Sequence, residues 1–286
     1  MSVLTAAARG PQVRWRWRPS TVVLYALLVI LAVFYLLPMF AIVVTALKSF
    51  AEVSRSSLWE LPKAPTLAGF TAAYEKLAPY FQTSVLLVVP ATLLSAMLGS
   101  LNGYVLSKWK FRGANTVFAL LLFGMFIPYQ SILIPLFQFV SSIGLYGGIP
   151  GLVLIHVVYG IPICTLIFRN YFAAVPTELV EAGKIDGASV LGIFLRIMLP
   201  ISIPGFVVVM IWQFTSIWNE FLFAVLMTIP PSQPITVGLV NLTGGLLQHY
   251  EIQMAGALLA ALPTLVVYIV LGRYFVRGLL AGSLKG

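Results

Sequence analysis

Residues 176–204 read PTELVEAGKIDGASVLGIFLRIMLPISIP, a polar segment between two long apolar stretches. The segment holds three of the chain's eight acidic residues. Pro176 suits the first position of a helix, where its missing N–H costs nothing. Glu178 and Glu181 then lie near the positive end of the helix dipole, which favours acidic side chains. The sequence therefore predicts a helix that begins at Pro176 and stands outside a membrane.

A second helix is predicted after a sharp turn at Asp186-Gly187, with Asp186 as its N-terminal cap and Pro200 at its end. Its apolar residues recur at three- and four-residue spacing and so share one face. They are Val190, Ile193, Phe194 and Ile197. Physical reasoning alone leaves open whether this pair of helices is a functional element or only a loop between two spans.

The whole chain has the composition of a membrane protein. Hydrophobic residues make up 60% of the 286 positions and charged residues only 9%, with a mean hydropathy of +1.00. Soluble domains are about one quarter charged. The sequence predicts an all-α polytopic membrane protein with six transmembrane helices, each long enough to cross about 30 Å of hydrocarbon. The spans cover about residues 21–45, 84–106, 116–140, 151–168, 203–228 and 254–276.

Three parts follow from this plan: a basic interfacial arm at residues 1–20, a membrane domain at 21–277 and a short tail at 278–286. In the arm, arginines alternate with Trp15 and Trp17, a pattern typical of the membrane–water interface. The apolar run that follows is too long for a signal-peptide core, so we expect the arm to be retained.

Basic residues predict which side of the membrane each loop occupies. Six spans place both termini on one side, together with the loop at residues 172–202. That side carries Arg9, Arg14, Arg16, Arg18, Lys108, Lys110, Arg112, Arg169, Lys184, Arg196, Arg273, Arg277 and Lys285. The other side carries only Lys48, Arg55, Lys63 and Lys76. Both termini and the loop are therefore predicted to be cytoplasmic, and the net charge of +9 needs no nucleic-acid partner.

Small residues and prolines mark two of the predicted spans. In the second span, Ser95, Gly99 and Gly103 are four residues apart, which lets another helix approach closely. In the third span, Pro128 and Pro135 are predicted to interrupt the helix and free backbone carbonyls. Polar outer segments are predicted at residues 48–80 and 228–253.

Polar residues inside a membrane span are costly and are therefore candidate pathway residues. The densest group lies in the fifth span and comprises Trp212, Gln213, Ser216, Asn219 and Glu220. This mixture of hydrogen-bonding groups and aromatic faces suits a sugar. The alternative is that the tripeptide Trp218-Asn219-Glu220 only anchors the outer interface. In the third span the candidates are Tyr129, Gln130 and Gln138, which either line a path or gate or merely flank a kink.

No catalytic pattern is found in the sequence. The motifs GxxxxGK[ST], GxSxG and HExxH are absent, as is a clustered Cys/His set. The single cysteine, Cys164, lies in an apolar span, so no internal disulfide can form. His156 in the same span is more readily explained by packing or hydrogen bonding than by metal binding. The chain is predicted to be no enzyme and to bind no cofactor or metal itself.

The central segment resembles the EAA loop of ABC importer permeases, EAAxxDGAxxxxxFxxIxLP. The matching residues are Glu181, Ala182, Asp186, Gly187, Ala188, Phe194, Ile197, Leu199 and Pro200; Gly183 departs from the pattern, small for small. Further matches are Pro128-Tyr129-Gln130, Trp218-Asn219-Glu220-Phe221 and residues 274–279. Nearly everything after the first span is similar to permeases of carbohydrate-uptake ABC importers, the group of the second maltose-type permease. The arm is outside the pattern.

This resemblance implies a type I ABC importer permease in the cytoplasmic membrane of a bacterium or archaeon. It implies a heterodimer with a second permease, two ATPases that bind ATP and Mg, and an extracytoplasmic sugar-binding protein. The 172–202 loop would couple to the ATPase, and the tail would reach between the ATPases. The coupling residues would be Glu178, Glu181, Ala182, Gly183, Asp186, Gly187 and Ala188.

The resemblance also bears on the substrate. The ending YFVRGLLAGSLKG and the outer segment His249-Tyr250-Glu251 are most similar to glucose/mannose-type importers, although disaccharide and glycerol-3-phosphate importers share most of the pattern. The scarcity of membrane-embedded charge favours a neutral mono- or oligosaccharide. The alternative from another class is a self-sufficient proton-coupled carrier or channel that uses Glu220.

Overall fold

The structure is a computed structural model that describes residues 19–242, 244 and 248–283. In the last helix, side chains are described as far as residue 272. Residues 1–18 of the predicted arm and 284–286 of the predicted tail lie outside the described residues.

The described residues form helices and connecting loops, without a β-strand; an isolated bridge pairs Gly147 with Thr228. Short 3-10 turns at Gly124–Phe126 and Tyr129–Ile132 and a π-helical stretch at Phe194–Met198 lie between some of the helices. The α-helices are α1 (Pro19–Ala46), α2 (Phe50–Val53), α3 (Ala68–Lys108), α4 (Ala114–Phe123), α5 (Leu133–Ser142), α6 (Ile149–Ala173), α7 (Glu178–Ile185), α8 (Val190–Ile193), α9 (Leu199–Ile201), α10 (Ile203–Trp218), α11 (Leu222–Met227), α12 (Ile235–Asn241) and α13 (Tyr250–Ser283).

Four of these helices, α1, α3, α6 and α13, are long and apolar enough to cross a membrane. Two further pairs pass the same test together but are bent, by 90° between Ala114–Phe126 and Tyr129–Ser142 and by 80° between Val190–Ile201 and Ile203–Trp218. The described residues therefore contain four to six candidate spans, depending on whether each bent pair counts as one. The prediction of an all-α membrane protein is confirmed.

Several helix bounds differ from the prediction. The outer segment predicted at 48–80 includes the first turns of α3, and the one predicted at 228–253 includes α12. The predicted fifth span ends early, because α10 stops at Trp218 and α11 starts after a break. Packing explains why both outer segments contain helix, because α12 packs on the first part of α3. A Cβ at Gly238 of α12 would lie 2.6 Å from the ring of Tyr80 in α3.

Only one of the two prolines expected to interrupt the third span does so. Pro128 lies between the two 3-10 turns, where the chain bends by 90°. Pro135 is the third residue of α5, in the first turn of the helix, where its missing N–H would have had no intrahelical partner. The predicted interruption at Pro135 is therefore wrong, and the helix simply begins there.

The close approach predicted from the small residues of the second span is confirmed, and the partner helix is α6. Gly99 packs directly on Cys164, and a Cβ at Gly103 would lie 2.7 Å from both the Phe168 Cβ and the Arg169 nitrogen. Such distances leave no room for a side chain. The two backbones are therefore in contact along one face, and the buried residues of α3 and α6 contribute to both large apolar clusters of the protein.

A pair of glycine substitutions tests this contact. Gly103→Ala should lower the midpoint of thermal unfolding of the purified protein, because overpacking costs about 1–3 kcal/mol. Gly272→Ala is the matched control, since it also lies in a helix but a Cβ there would meet nothing within 4 Å. Its midpoint should stay the same or rise. Equal midpoints for the two variants would contradict the contact.

Candidate functional site

The coupling segment is the predicted coupling loop, residues 172–202. Its first helix, α7, begins at Glu178 with Thr177 at the cap position, rather than at Pro176. Gly187 has a left-handed φ of 75°, as the predicted turn requires. The Gly187 N–H donates to the Lys184 carbonyl at 3.0 Å and the Ala188 N–H to the Gly183 carbonyl at 2.9 Å. These two bonds form a Schellman motif that ends α7.

The second helix of the coupling segment corrects two further predictions. Ser189, not Asp186, is its N-terminal cap, because the Ser189 Oγ accepts a hydrogen bond from the Gly192 N–H at 3.1 Å. Asp186 is instead the C-terminal cap residue of α7. Pro200 does not stop the helix, since it lies in the first turn of α9, where a proline is tolerated. The 80° bend that follows α9 separates the segment from α10.

The coupling segment presents an exposed face with acidic and apolar side chains. Ile185 is 86% exposed and Leu179 is 41% exposed. Of the seven predicted coupling residues, Gly183 is buried, Ala188 is partly buried, and five are exposed: Glu178, Glu181, Ala182, Asp186 and Gly187. Exposed apolar side chains beside acidic ones are typical of a surface that another protein covers.

Gly183 lets the two helices of the coupling segment pack on each other. A Cβ at this position would lie 3.0 Å from Ile193 Cγ1 and 3.2 Å from Ile197 Cδ1. Gly183, which stands where the EAA pattern has alanine, therefore lies on the inner face of α7 and not on its exposed face. The exposed side of the motif is unaltered by it.

Contacts to α3 and α6 hold the coupling segment in place. The Tyr104 ring stacks on Phe194 with centroids 5.5 Å apart, and the Tyr104 hydroxyl donates to the Val190 carbonyl at 3.3 Å. The Lys184 ammonium lies 4.2 Å from the centre of the Trp109 ring. These contacts join both helices of the segment to the end of α3, so the segment and that end of the spans form one packed unit.

A second candidate site is a small polar cavity of about 100 Å³ between α6 and α10. It is lined by His156, Tyr159, Gly160, Ile163, Trp212, Gln213, Ser216 and Ile217. On each helix the lining residues follow three- and four-residue spacing and so form one stripe. The cavity collects three predicted pathway residues, Trp212, Gln213 and Ser216.

Gln213 is the buried member of that group. Its Nε2 donates to the Ser95 Oγ at 3.0 Å, which ties α10 to α3 beside Gly160 of α6. Trp212 and Ser216 are exposed, as is Asn219 one turn further on. Trp212, Ser216 and Asn219 are therefore all exposed, whereas Gln213 points into the protein.

Glu220 lies at the break between α10 and α11 and fastens the start of α11. Its two carboxylate oxygens accept hydrogen bonds from the Phe223 N–H at 2.8 Å and the Ala224 N–H at 3.1 Å. Glu220 Oε2 is also 3.8 Å from His156 Nε2, at the edge of the cavity. Trp218 beside it donates from Nε1 to the Ala260 carbonyl at 2.9 Å, which anchors α10 to α13.

The three candidate residues predicted in the third span differ in how closely they approach the cavity. Tyr129 reaches it through Phe223, whose ring is 5.2 Å away between centroids. Phe223 in turn packs on Tyr159 at 5.3 Å. Gln130 and Gln138 are exposed and do not line the cavity.

Two lining residues, His156 and Tyr159, were missed as functional candidates by the sequence. His156 was expected to be packed or hydrogen-bonded; it is 7% exposed, and its Nε2 has no hydrogen-bond partner among the described residues. The buried Tyr159 hydroxyl lacks one as well. No spacing within α6 marks these two residues, because only the approach of α10 makes them line a cavity.

Comparisons with known proteins agree with this architecture. Residues 91–279 match the family described as "Binding-protein-dependent transport system inner membrane component". A probable ABC transporter permease of Pyrococcus horikoshii is 44% identical, over 95% of this chain and 99% of the relative. A xylose/arabinose import permease of Haloferax volcanii is 39% identical, over 89% and 90%. A glucose import permease of Saccharolobus solfataricus is 29% identical, over 92% and 95%.

The fold matches a solved membrane protein too. A chain from a bacterial ABC transporter involved in the import of the acidic polysaccharide alginate superposes with a TM-score of 0.81 at 21% identity, covering 93% of this chain and all of that one. Fold and relatives together define an integral membrane permease of the ABC transporter class. The chain belongs to the family of binding-protein-dependent transport system inner membrane components, and the resemblance to carbohydrate-uptake ABC permeases is confirmed.

Substitution of Glu220 separates its role at the helix break from a role in proton transport. Glu220→Gln keeps an acceptor for the first turn of α11, so we expect uptake to be reduced only modestly. Glu220→Ala removes the acceptor of both hydrogen bonds from α11, a loss similar to that of a helix cap, and should destabilise the protein by about 0.5–2 kcal/mol. Thermal unfolding and uptake in cells measure the two effects.

The control is Glu75→Ala, which removes an exposed helical carboxylate elsewhere. Complete loss of uptake in a stable Glu220→Gln protein would instead favour a proton carrier.

Proposed function

We propose that the chain is the permease subunit of an ATP-driven importer that moves a neutral mono- or oligosaccharide across the cytoplasmic membrane of a bacterium or archaeon. The observation that carries the proposal is the coupling segment, an exposed acidic and apolar surface packed firmly onto the ends of α3 and α6. Family membership supports it, because the relatives are transport permeases. The chain itself performs no hydrolysis in this scheme and binds no cofactor.

The coupling segment is the docking element for a partner ATPase, which binds ATP and Mg. Glu178 and Glu181 offer carboxylates to the partner, and the exposed Ile185 offers apolar area. Gly187 sets the turn that presents them. Because Tyr104 and Trp109 hold the segment on α3, a movement of the ATPase is passed to the spans rather than absorbed by a loose loop.

The complete importer contains further subunits: a second permease that forms a heterodimer with this chain, two ATPases and an extracytoplasmic sugar-binding protein. One structural relative was solved in complex with its periplasmic binding protein. In this chain, Trp212, Ser216 and Asn219 are exposed along one face of α10. Polar residues at membrane depth face protein or a water-filled path rather than lipid. We place the second permease and the sugar path against this face, and we keep Tyr129, Gln130, Gln138, Gln213 and Glu220 as further candidate residues of the path or its gate.

We also propose that the membrane domain at 21–277 has six spans, with each bent pair counted as one span. Both termini then lie in the cytoplasm. The end of α1 and the starts of α3 and α13 lie together, because a Cβ at Gly69 would touch the carbonyls of Ala46 and Glu251. The coupling segment lies at the opposite end of α3. The basic arm at 1–20 and the tail at 278–286 then share the cytoplasmic side with it.

The sugar itself is proposed from the relatives. Permeases similar to this chain are named for xylose/arabinose and for glucose, and the ending of the chain is most similar to glucose/mannose-type importers. We therefore propose a glucose- or mannose-like sugar, with pentoses as the next candidates.

Two substitutions in the coupling segment test the docking role. Glu181→Lys reverses an exposed charge, and Gly187→Val forces a β-branched residue into a left-handed conformation that costs about 1–2 kcal/mol locally. Both should lower uptake and the amount of ATPase that copurifies with the tagged permease, without changing its yield. Glu75→Lys, an exposed charge reversal at the start of α3, is the control. Unchanged ATPase association in both variants would refute the docking role.

Cysteine labelling tests the sidedness. The native Cys164 is fully buried and gives a low background. A membrane-impermeant maleimide should label Glu60→Cys in intact cells, and Lys110→Cys only after permeabilisation, because both positions are exposed but lie at opposite ends of the spans. The reverse pattern would invert the proposed topology.

A further inference from the structure

The chain bends by 80° where the coupling segment meets α10. On one side of the bend is α9, which has only three residues, Leu199–Ile201. On the other side is α10, the helix on which the sugar path is proposed. Three residues make less than one turn of helix, so contacts from another element must hold the angle of the bend.

Tyr171, near the end of α6, contacts both sides of this bend. Its hydroxyl donates a hydrogen bond to the Ile201 carbonyl at the end of α9, with 2.9 Å between the two oxygens. Its ring lies against the start of α10, because a Cβ at Gly205 would be 3.1 Å from the ring. One side chain therefore joins α6, α9 and α10.

The Tyr171 hydroxyl bonds to a carbonyl that needs a donor from outside its helix. The last carbonyls of a helix have no partner within it. Pro204, three residues after Ile201, has no N–H that could donate in a 3-10 turn. The hydroxyl of the buried Ser202 does not bridge the bend, since it donates back to the Leu199 carbonyl at 2.9 Å. Tyr171 thus supplies a donor that Pro204 cannot.

A neighbouring contact between α6 and α10 is apolar and fixes the geometry less tightly. The rings of Phe168 and Phe206 pack with 4.5 Å between their centroids. Apolar attraction is non-directional, so two such rings can slide on each other. A hydrogen bond instead requires a defined distance and angle. The Tyr171 hydroxyl is therefore the contact that fixes how α9 is oriented on α6.

We propose that Tyr171 is a positioning residue that passes the displacement of the coupling segment to α10. When a partner ATPase moves the segment, the bond to Ile201 and the contact with Gly205 make α9 and α10 turn together about the end of α6. Without the bond, the bend absorbs part of the movement. The inference rests on the proposed function, because it names the link between ATPase docking and the sugar path of that importer.

Tyr171→Phe is the direct test, because it removes the hydroxyl and keeps the ring that packs on Gly205. The complete importer is purified through the tagged permease and placed in liposomes with its sugar-binding protein. ATP hydrolysis and initial uptake of D-glucose and D-xylose are then measured. ATPase copurification and ATP hydrolysis should stay at the wild-type level. Uptake per ATP hydrolysed should fall about twofold to tenfold, the value of one hydrogen bond.

Cysteine labelling on α10 measures the movement itself and needs no sugar. Ser216→Cys places a thiol at an exposed position of α10, and the native Cys164 is fully buried. A non-hydrolysable ATP analogue should change the rate at which a maleimide labels Ser216→Cys in the complete importer. The change should be smaller when Tyr171→Phe is added. A labelling rate that does not respond to the analogue, or that responds equally in both backgrounds, overturns the inference.

Gly205→Ala gives an independent arm, because the added methyl group presses on the Tyr171 ring and leaves the hydroxyl in place. It should also lower uptake per ATP. Gly272→Ala, whose Cβ would meet nothing within 4 Å, is its control. Tyr268→Phe removes an exposed hydroxyl on α13 and is the control for Tyr171→Phe. Both controls should keep the wild-type ratio of uptake to hydrolysis.

A purely structural role for Tyr171 predicts a different result. Tyr171→Phe would then lower the unfolding midpoint, ATP hydrolysis and uptake together, with uptake per ATP unchanged. That result, or a wild-type ratio in a stable variant, overturns the inference. A wild-type importer that hydrolyses ATP but moves neither sugar would refute the proposed substrates, and the labelling would still decide the role of Tyr171. A permease that copurifies with no ATPase would refute the proposed function and this link with it.

Discussion

The close contact between α3 and α6 is the constraint on which both candidate sites depend. The two backbones touch because Gly99 and Gly103 of α3 carry no side chain, and Gly160 of α6 faces Ser95 and Gln213 in the same way. Within a bilayer, such van der Waals contact between small residues replaces the hydrophobic effect as the driving force for helix association. The coupling segment packs on one end of this pair, and α6 forms one wall of the polar cavity further along.

The breaks in the other helices are possible only because their backbone groups find partners inside the protein. At the break after α10, the Glu220 carboxylate accepts from two N–H groups of α11, and the Thr236 hydroxyl donates to the Glu220 carbonyl at 2.9 Å. Without water, each unsatisfied group would cost several kcal/mol. The residues at this break thus secure the fold, and Glu220, a candidate pathway residue in the sequence, forms structural hydrogen bonds here.

Local sequence patterns predicted the fold well at positions where the absence of a side chain determines the structure. The left-handed turn at Gly187 and the small-residue row at Gly99 and Gly103 follow from the absence of a side chain, and both are found. Tertiary packing decided the rest. The sequence analysis predicted Asp186 as the cap of the second helix, whereas the folded chain uses Ser189. His156 gained its place at the cavity from the approach of α10, which no pattern within α6 reveals.

The two candidate sites are mechanically connected through the helices that form the cavity. Phe168 of α6 packs in the cluster that holds the coupling segment, whereas His156 lies on the same helix about 18 Å from it, at about 1.5 Å per residue. Pro162 lies between them and removes one backbone hydrogen bond, so α6 bends more easily there. α10 has no internal proline between Pro204 and Trp218 and is stiffer over this length. We therefore expect α6 to bend more readily than α10 when the coupling segment is displaced.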